Sequence, residues 1–114
     1  MTLSYPLPEP LVELISERFR VLAEPMRIRI LERLRDGEST VQALTEALAT
    51  SQQNVSKHLA VLGHAGIVGR RKDGNFAYYR VIDTAVFDLC EQVCGALQRD
   101  LERKLTAATA GPAR

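Results

Sequence analysis

At Gly66 the apolar residues of this chain change their period. Before that point they recur every three or four positions, the spacing of one helical face, and after it they follow the short runs of strands. A helical period resumes beyond Ile82, so the chain must fold as several short helices, a hairpin and a closing helix. Leu11, Ile15, Phe19 and Leu22 mark the first helix. Pro25 suits the first position of the second, where Ile30, Leu31 and Leu34 face inward and Asp36-Gly37 stops the run. Ser39 or Thr40 can cap a third helix with Val41, Leu44 and Leu48 on its apolar face. After Ala49-Thr50, either Ser51 or Thr50 (with Gln53 as its capping-box partner) opens a fourth, ending near Ala65-Gly66.

Residues 67–71 then read as a strand, 72–75 as a turn in which Asp73-Gly74 supplies positive φ, and 76–81 as the returning strand. The last helix begins at Asp83 or Thr84 and runs to about Leu105, with Val86, Cys90, Val93, Leu97, Leu101 and Leu105 at helical spacing. The expected fold class is mainly α with a small β-hairpin (α+β). Two helices joined by a tight turn and followed by a basic hairpin are a winged helix-turn-helix, here with five helices plus the wing. The domain is expected to span residues 11–105. Pro6, Pro8 and Pro10 make residues 1–10 an extended arm, and an Ala- and Thr-rich tail occupies 106–114.

The fourth helix carries the functional signal. In SQQNVSKHLAVL only Val55, Leu59 and Leu62 are apolar at helical spacing, and the rest of its surface holds no acid. Gln52, Gln53 and Asn54 can each donate and accept, which suits the edge of adenine in a DNA major groove, while Lys57 suits guanine or phosphate. Ser56 can serve bases or phosphates, His58 reads as a DNA or a packing residue, and the helix N-terminus at Ser51 favours a phosphate. In the hairpin, Arg70, Arg71, Lys72 and Asn75 would reach the flanking backbone or a minor groove. Residues 51–82 hold five basic residues against one acid, Asp73, in a chain whose formal charge is +1. That local excess fits a polyanion. The alternative is a solvated polar face, or a winged helix that acts as a protein-interaction module beside a co-regulator. A steep fall of affinity with salt separates DNA binding from both.

FRVLAEPMRIRILERL, TVQALTEAL and SQQNVSKHLAVLGHAGIVGRRKDGNFAYYRV resemble the ArsR/SmtB family of winged-helix transcriptional regulators. The likeness covers residues 19–83. It rests on A-E-P-x-R-x-x-I-L, S-Q-x-x-V-S-x-H-L, A-G-I-V and G-N-x-x-Y-Y-R taken together. It implies a homodimer joined through the first and last helices, inverted-repeat operator DNA with half-sites about 34 Å apart, and an effector that switches DNA affinity, most often as derepression. The recognition-helix positions fall on Gln52, Gln53, Asn54, Ser56, Lys57 and His58, and the wing on Arg70, Arg71, Lys72 and Asn75.

The family's effector sites do not follow. The cysteine box of its metal sensors aligns with Thr40 and Gln42, neither a soft ligand. Its other metal site begins at Asp83 but continues onto Ala85, Ala96 and Arg99. Its thiol switch needs a cysteine in the second helix, which has none. What remains is Cys90 and Cys94, one turn apart on the last helix, which a two-fold axis could gather into four thiols able to hold zinc, nickel or cadmium, or to oxidise. Free cysteines also pack as small hydrophobes, and Cys90 continues the apolar stripe. A divalent metal effector, nickel or zinc, therefore stays open, without assigned ligands. His64 complements the helix dipole and cannot bind metal alone. Two cysteines are too few for a disulfide framework, C-x-x-x-C beside no base argues against a thiol enzyme, and no apolar run approaches a membrane span. Nothing reads as a signal peptide, so a cytoplasmic, non-enzymatic regulator without membrane contact is expected.

Overall fold

The computed structural model describes residues 2–109. In chain order they form α1 (Glu9–Leu22), α2 (Pro25–Leu34), β1 (Ser39–Thr40), α3 (Val41–Leu48), α4 (Gln52–His64), β2 (Val68–Asp73), β3 (Phe76–Val81) and α5 (Ala85–Thr109). This is the expected winged helix-turn-helix with five helices.

Local chemistry sets the boundaries. Pro8, extended at ψ 144°, caps α1, and Pro10 falls in the first turn, where no intrahelical donor is lost. The helix therefore starts at Glu9 rather than Leu11, and the arm is shorter than its prolines suggested. The Glu24 carboxylate accepts from the Arg27 N–H to cap α2, with Pro25 at its first position. Between Ser39 and Thr40, it is Thr40 that caps α3, its hydroxyl oxygen accepting from Ala43 N–H at 3.1 Å. Ser51 does the same for α4 from Asn54 N–H at 3.0 Å. The α3–α4 turn passes through Ala49 at φ +52°.

At its far end α4 closes in a Schellman motif. Gly66 takes φ +75°, its N–H bonds the Gly63 carbonyl, and Ile67 N–H bonds the Leu62 carbonyl. The hairpin is tighter than expected. Lys72 and Asp73 belong to β2, Asp73 pairs with Phe76, and only Gly74 and Asn75 form the loop. Gly74 alone carries the positive φ, +62°. β1 adds an unforeseen third strand, giving the antiparallel order β1-β3-β2 with Ser39 opposite Tyr79 and Thr40 opposite Tyr78. α5 runs on to Thr109, so residues 106–109 are helix rather than tail, and 110–114 lie outside the described residues.

The chain divides into two compact units, up to Asp83 and from Thr84 onward. In the first, the core gathers Ile30, Leu31 and Leu34 of α2, Leu44 of α3, Val55, Leu59 and Leu62 of α4, and Ile67 and Val68 at the sheet, all buried. Each such side chain contributes roughly 1.5–3 kcal/mol, and together they pin one side of α4 while leaving the other in water. The second unit is α5, whose Val93, Leu97, Leu101 and Leu105 are exposed at four-residue steps. No helix among the described residues is long and apolar enough to cross a membrane.

Candidate nucleic-acid interface

The buried positions of α4 leave Gln52, Gln53, Ser56, Lys57 and Ala60 exposed on one continuous face. The expected groove residues do not all belong to it. The Ser51 hydroxyl is engaged as the helix cap. Asn54 is half-buried, its amide donating to Thr50 Oγ1 at 3.1 Å, so it locks the start of the helix.

Of the two readings of His58, contact with DNA or packing, the fold takes packing: the side chain is 6% exposed and turned inward. Its Nδ1 lies 3.1 Å from Arg27 Nη1, and because guanidinium only donates, Nδ1 must accept and Nε2 must carry the proton. Nε2 sits 3.6 Å from the Glu24 carboxylate. Burial holds the imidazole below its ordinary pKa against the pull of Glu24, and Lys57 and Arg27 push it the same way. Burial also acts to raise Glu24, but the Arg27 N–H and the His58 charge outweigh it and leave that carboxyl lowered. Arg27 further donates from Nε to the Val21 carbonyl at 2.6 Å, so one arginine ties the end of α1 to the recognition helix. Sequence spacing held the signal, since 58 lies three positions after Val55 and four before Leu62, on the apolar edge.

The wing divides by strand parity. Cross-strand partners point to the same side of a sheet. Arg70 pairs with Tyr79 and Lys72 with Ala77, on the side of Val68, whereas Arg71 pairs with Tyr78 and Asp73 with Phe76 on the other. Arg70 thus shares its face with the flank of α4. Arg71, grouped with it from sequence, is held on the opposite face. It donates from Nε to Glu38 Oε2 at 2.9 Å and from Nη2 to Oε1, lies 3.6 Å from Asp73, and stacks 4.6 Å over the Tyr78 ring. The Arg71 hydrogen bond lowers the Glu38 pKa, and Glu38 raises that of Arg71. Among the described residues, Arg70 and Lys72 have no such acidic partner. Asn75 stands exposed at the wing tip.

One contact foreseen by nothing in the sequence braces the unit. Arg18 of α1 donates to Asp83 at 2.7 Å and to the Ala65 carbonyl at 2.8 Å, fastening the end of α4 beside the end of the sheet. The arginines of α2 otherwise behave as a solvated face, with Arg29 paired to Glu32 at 3.0 Å.

A helix-turn-helix domain model matches residues 22–71. An uncharacterized HTH-type transcriptional regulator of Mycobacterium tuberculosis, Rv0081, is 36% identical over 98 residues, 85% of this chain and 86% of the relative. Its crystal structure superposes with a TM-score of 0.77 at 35% identity, over 86% of this chain and 99% of that one. The HTH-type transcriptional repressor SmtB of the same organism is 37% identical over 82 residues, 72% of this chain and 61% of SmtB. The homodimeric winged helix-turn-helix DNA-binding domain of Mb0332 from Mycobacterium bovis, described as a possible ArsR-family transcriptional regulator, gives a TM-score of 0.74 at 26% identity, over 88% and 95% of the two chains. This chain belongs to the ArsR/SmtB family. As an ArsR/SmtB protein it is a DNA-binding transcriptional regulator, and these relatives carry the names of regulators rather than enzymes.

Proposed function

We propose that this ArsR/SmtB regulator binds an inverted-repeat operator as a homodimer and that an effector changes its affinity. The observation that carries the reading is the acid-free exposed face of Gln52, Gln53, Ser56 and Lys57 on a helix pinned by the core, beside Arg70 and Lys72. Gln52, Gln53 and Lys57 read base edges, Ser56 at the edge of that face serves bases or phosphates, and Arg70, Lys72 and Asn75 meet backbone. The homodimeric relative and the exposed apolar stripes of α1 and α5 support the dimer.

For the effector, Cys90 is half-buried and Cys94 exposed. Among the described residues of one chain no three His, Cys, Asp or Glu side chains cluster to hold a metal, so a nickel or zinc effector would draw ligands from both copies across α5. Fluorescence anisotropy on a duplex selected from a random pool tests the whole reading, with chelated protein compared against zinc- and nickel-loaded protein in reductant. Affinity that falls steeply with salt supports DNA binding, and Gln53→Ala should weaken the selected duplex far more than a scrambled one. A metal shift of tenfold, about 1.4 kcal/mol of coupling, that Cys94→Ser removes would assign the thiols. Binding indifferent to both salt and Gln53 would reject the groove face.

A further inference from the structure

Between α4 and β2 runs an open cleft of about 360 Å³, lined among others by Ser56, Ala60, Gly63 and His64 of the helix and by Arg70 and Tyr79 of the sheet. The helical four lie at i, i+4, i+7 and i+8, so they form one line down the flank of α4, continuous at Ser56 with the groove face. Arg70 and Tyr79 are direct cross-strand partners facing that line. Among the described residues no hydrogen bond or ion pair engages the side chains of Ser56, His64, Arg70 or Tyr79. That contrasts with Arg71, one residue away, which is tied to two acids.

We propose that this cleft seats one phosphodiester of the DNA backbone, with Arg70 giving the charge and Ser56, His64 and Tyr79 the hydrogen-bond donors. The inference rests on the DNA-binding reading and adds His64, Tyr79 and Gly63 to it. When the first turns of α4 occupy a major groove and the wing reaches beyond, one backbone strand must pass between helix and wing. The small residues Ala60 and Gly63 leave it room. A helix C-terminus ordinarily repels an anion. Here three of its last four carbonyls are covered, Leu62 and Gly63 by the Schellman bonds and Ala65 by Arg18.

Gly63 gives a test in which packing and binding change in opposite directions. A Cβ there meets nothing within 4 Å, so Gly63→Leu introduces no clash at that atom and raises helix propensity. It should melt no lower than the wild type yet bind the selected duplex about tenfold more weakly. Arg70→Gln should lose about tenfold and make the log affinity against log salt slope shallower by about one. Tyr79→Phe and His64→Gln should each lose roughly threefold. Duplexes carrying single neutral methylphosphonates should reveal one position that weakens the wild type but weakens Arg70→Gln no further. Wild-type affinity in folded Gly63→Leu and Tyr79→Phe, or no such methylphosphonate position, overturns the seat while salt-dependent binding leaves the DNA reading standing. Wild-type protein that shows no salt-dependent DNA binding overturns both.

Discussion

Arg70 and Arg71 are neighbours with the same side chain, and strand parity gives them opposite surroundings. Arg71 faces Glu38 and Asp73, so part of its charge is neutralised before any duplex arrives. Exposed ion pairs are worth at most about 1 kcal/mol, hence Glu38→Gln should barely change stability. It should strengthen duplex binding about twofold and steepen the salt slope by less than one, because one negative charge is removed from the wing while Asp73 still partly neutralises Arg71. Titration at several salt concentrations checks both effects. The inward His58 gives a second prediction. Its pKa is lowered in the fold, so the unfolded chain binds the extra proton first as pH falls. Stability is therefore full above histidine's ordinary value of about 6.5 and declines below it. Near 4.5 the lowered Glu24 carboxyl begins to add a second loss. His58→Gln should flatten the upper part of that decline in urea melts at stepped pH. Residue types and spacing revealed the polar face, but the Glu38–Arg71 pair joins positions 33 apart and could not be read from either segment alone.

Elements were most readable where a periodic run met a specific stop. Pro25, Ser51 and Gly66 fixed ends of α2 and α4 because each satisfies a known backbone demand at that place. Two-residue β1 was missed because so short a strand has no period, and only pairing to Tyr78 and Tyr79 creates it. The hairpin was misplaced because Asp-Gly suggested positive φ at both residues, whereas Gly74 supplies it alone and Asp73 stays in the ladder. The α3–α4 turn is the element under strain, since Ala49 adopts φ +52°, where its Cβ crowds the backbone. Ala49→Gly should relieve this and, after glycine's larger entropy loss, raise stability by roughly 0.5–1 kcal/mol. Denaturant melts at constant m-value would register the gain. No change would mean the turn is held without strain by its neighbours.

For the molecule as a whole, the apolar surface left over after folding must be accounted for. α1 exposes Val12, Ile15 and Phe19, and α5 exposes Val93, Leu97, Leu101 and Leu105. Each set repeats at helical spacing, so each is a stripe rather than scattered side chains. Burying such area returns about 25 cal/mol per Å², and a second copy of the chain offers matching stripes. Leu97 is 62% exposed in one chain, so Leu97→Asp leaves the fold of that chain intact and places a charge in the proposed interface. Sedimentation velocity should then report a monomer. The same variant should bind a full inverted repeat about a hundredfold more weakly, because engagement of the second half-site no longer follows from the first. Binding to a single half-site should stay close to that of the wild type, because the recognition helix and wing lie in the other unit. A dimer that persists would move the interface off α5. A monomer that keeps full affinity for the inverted repeat would show that one copy suffices for the operator.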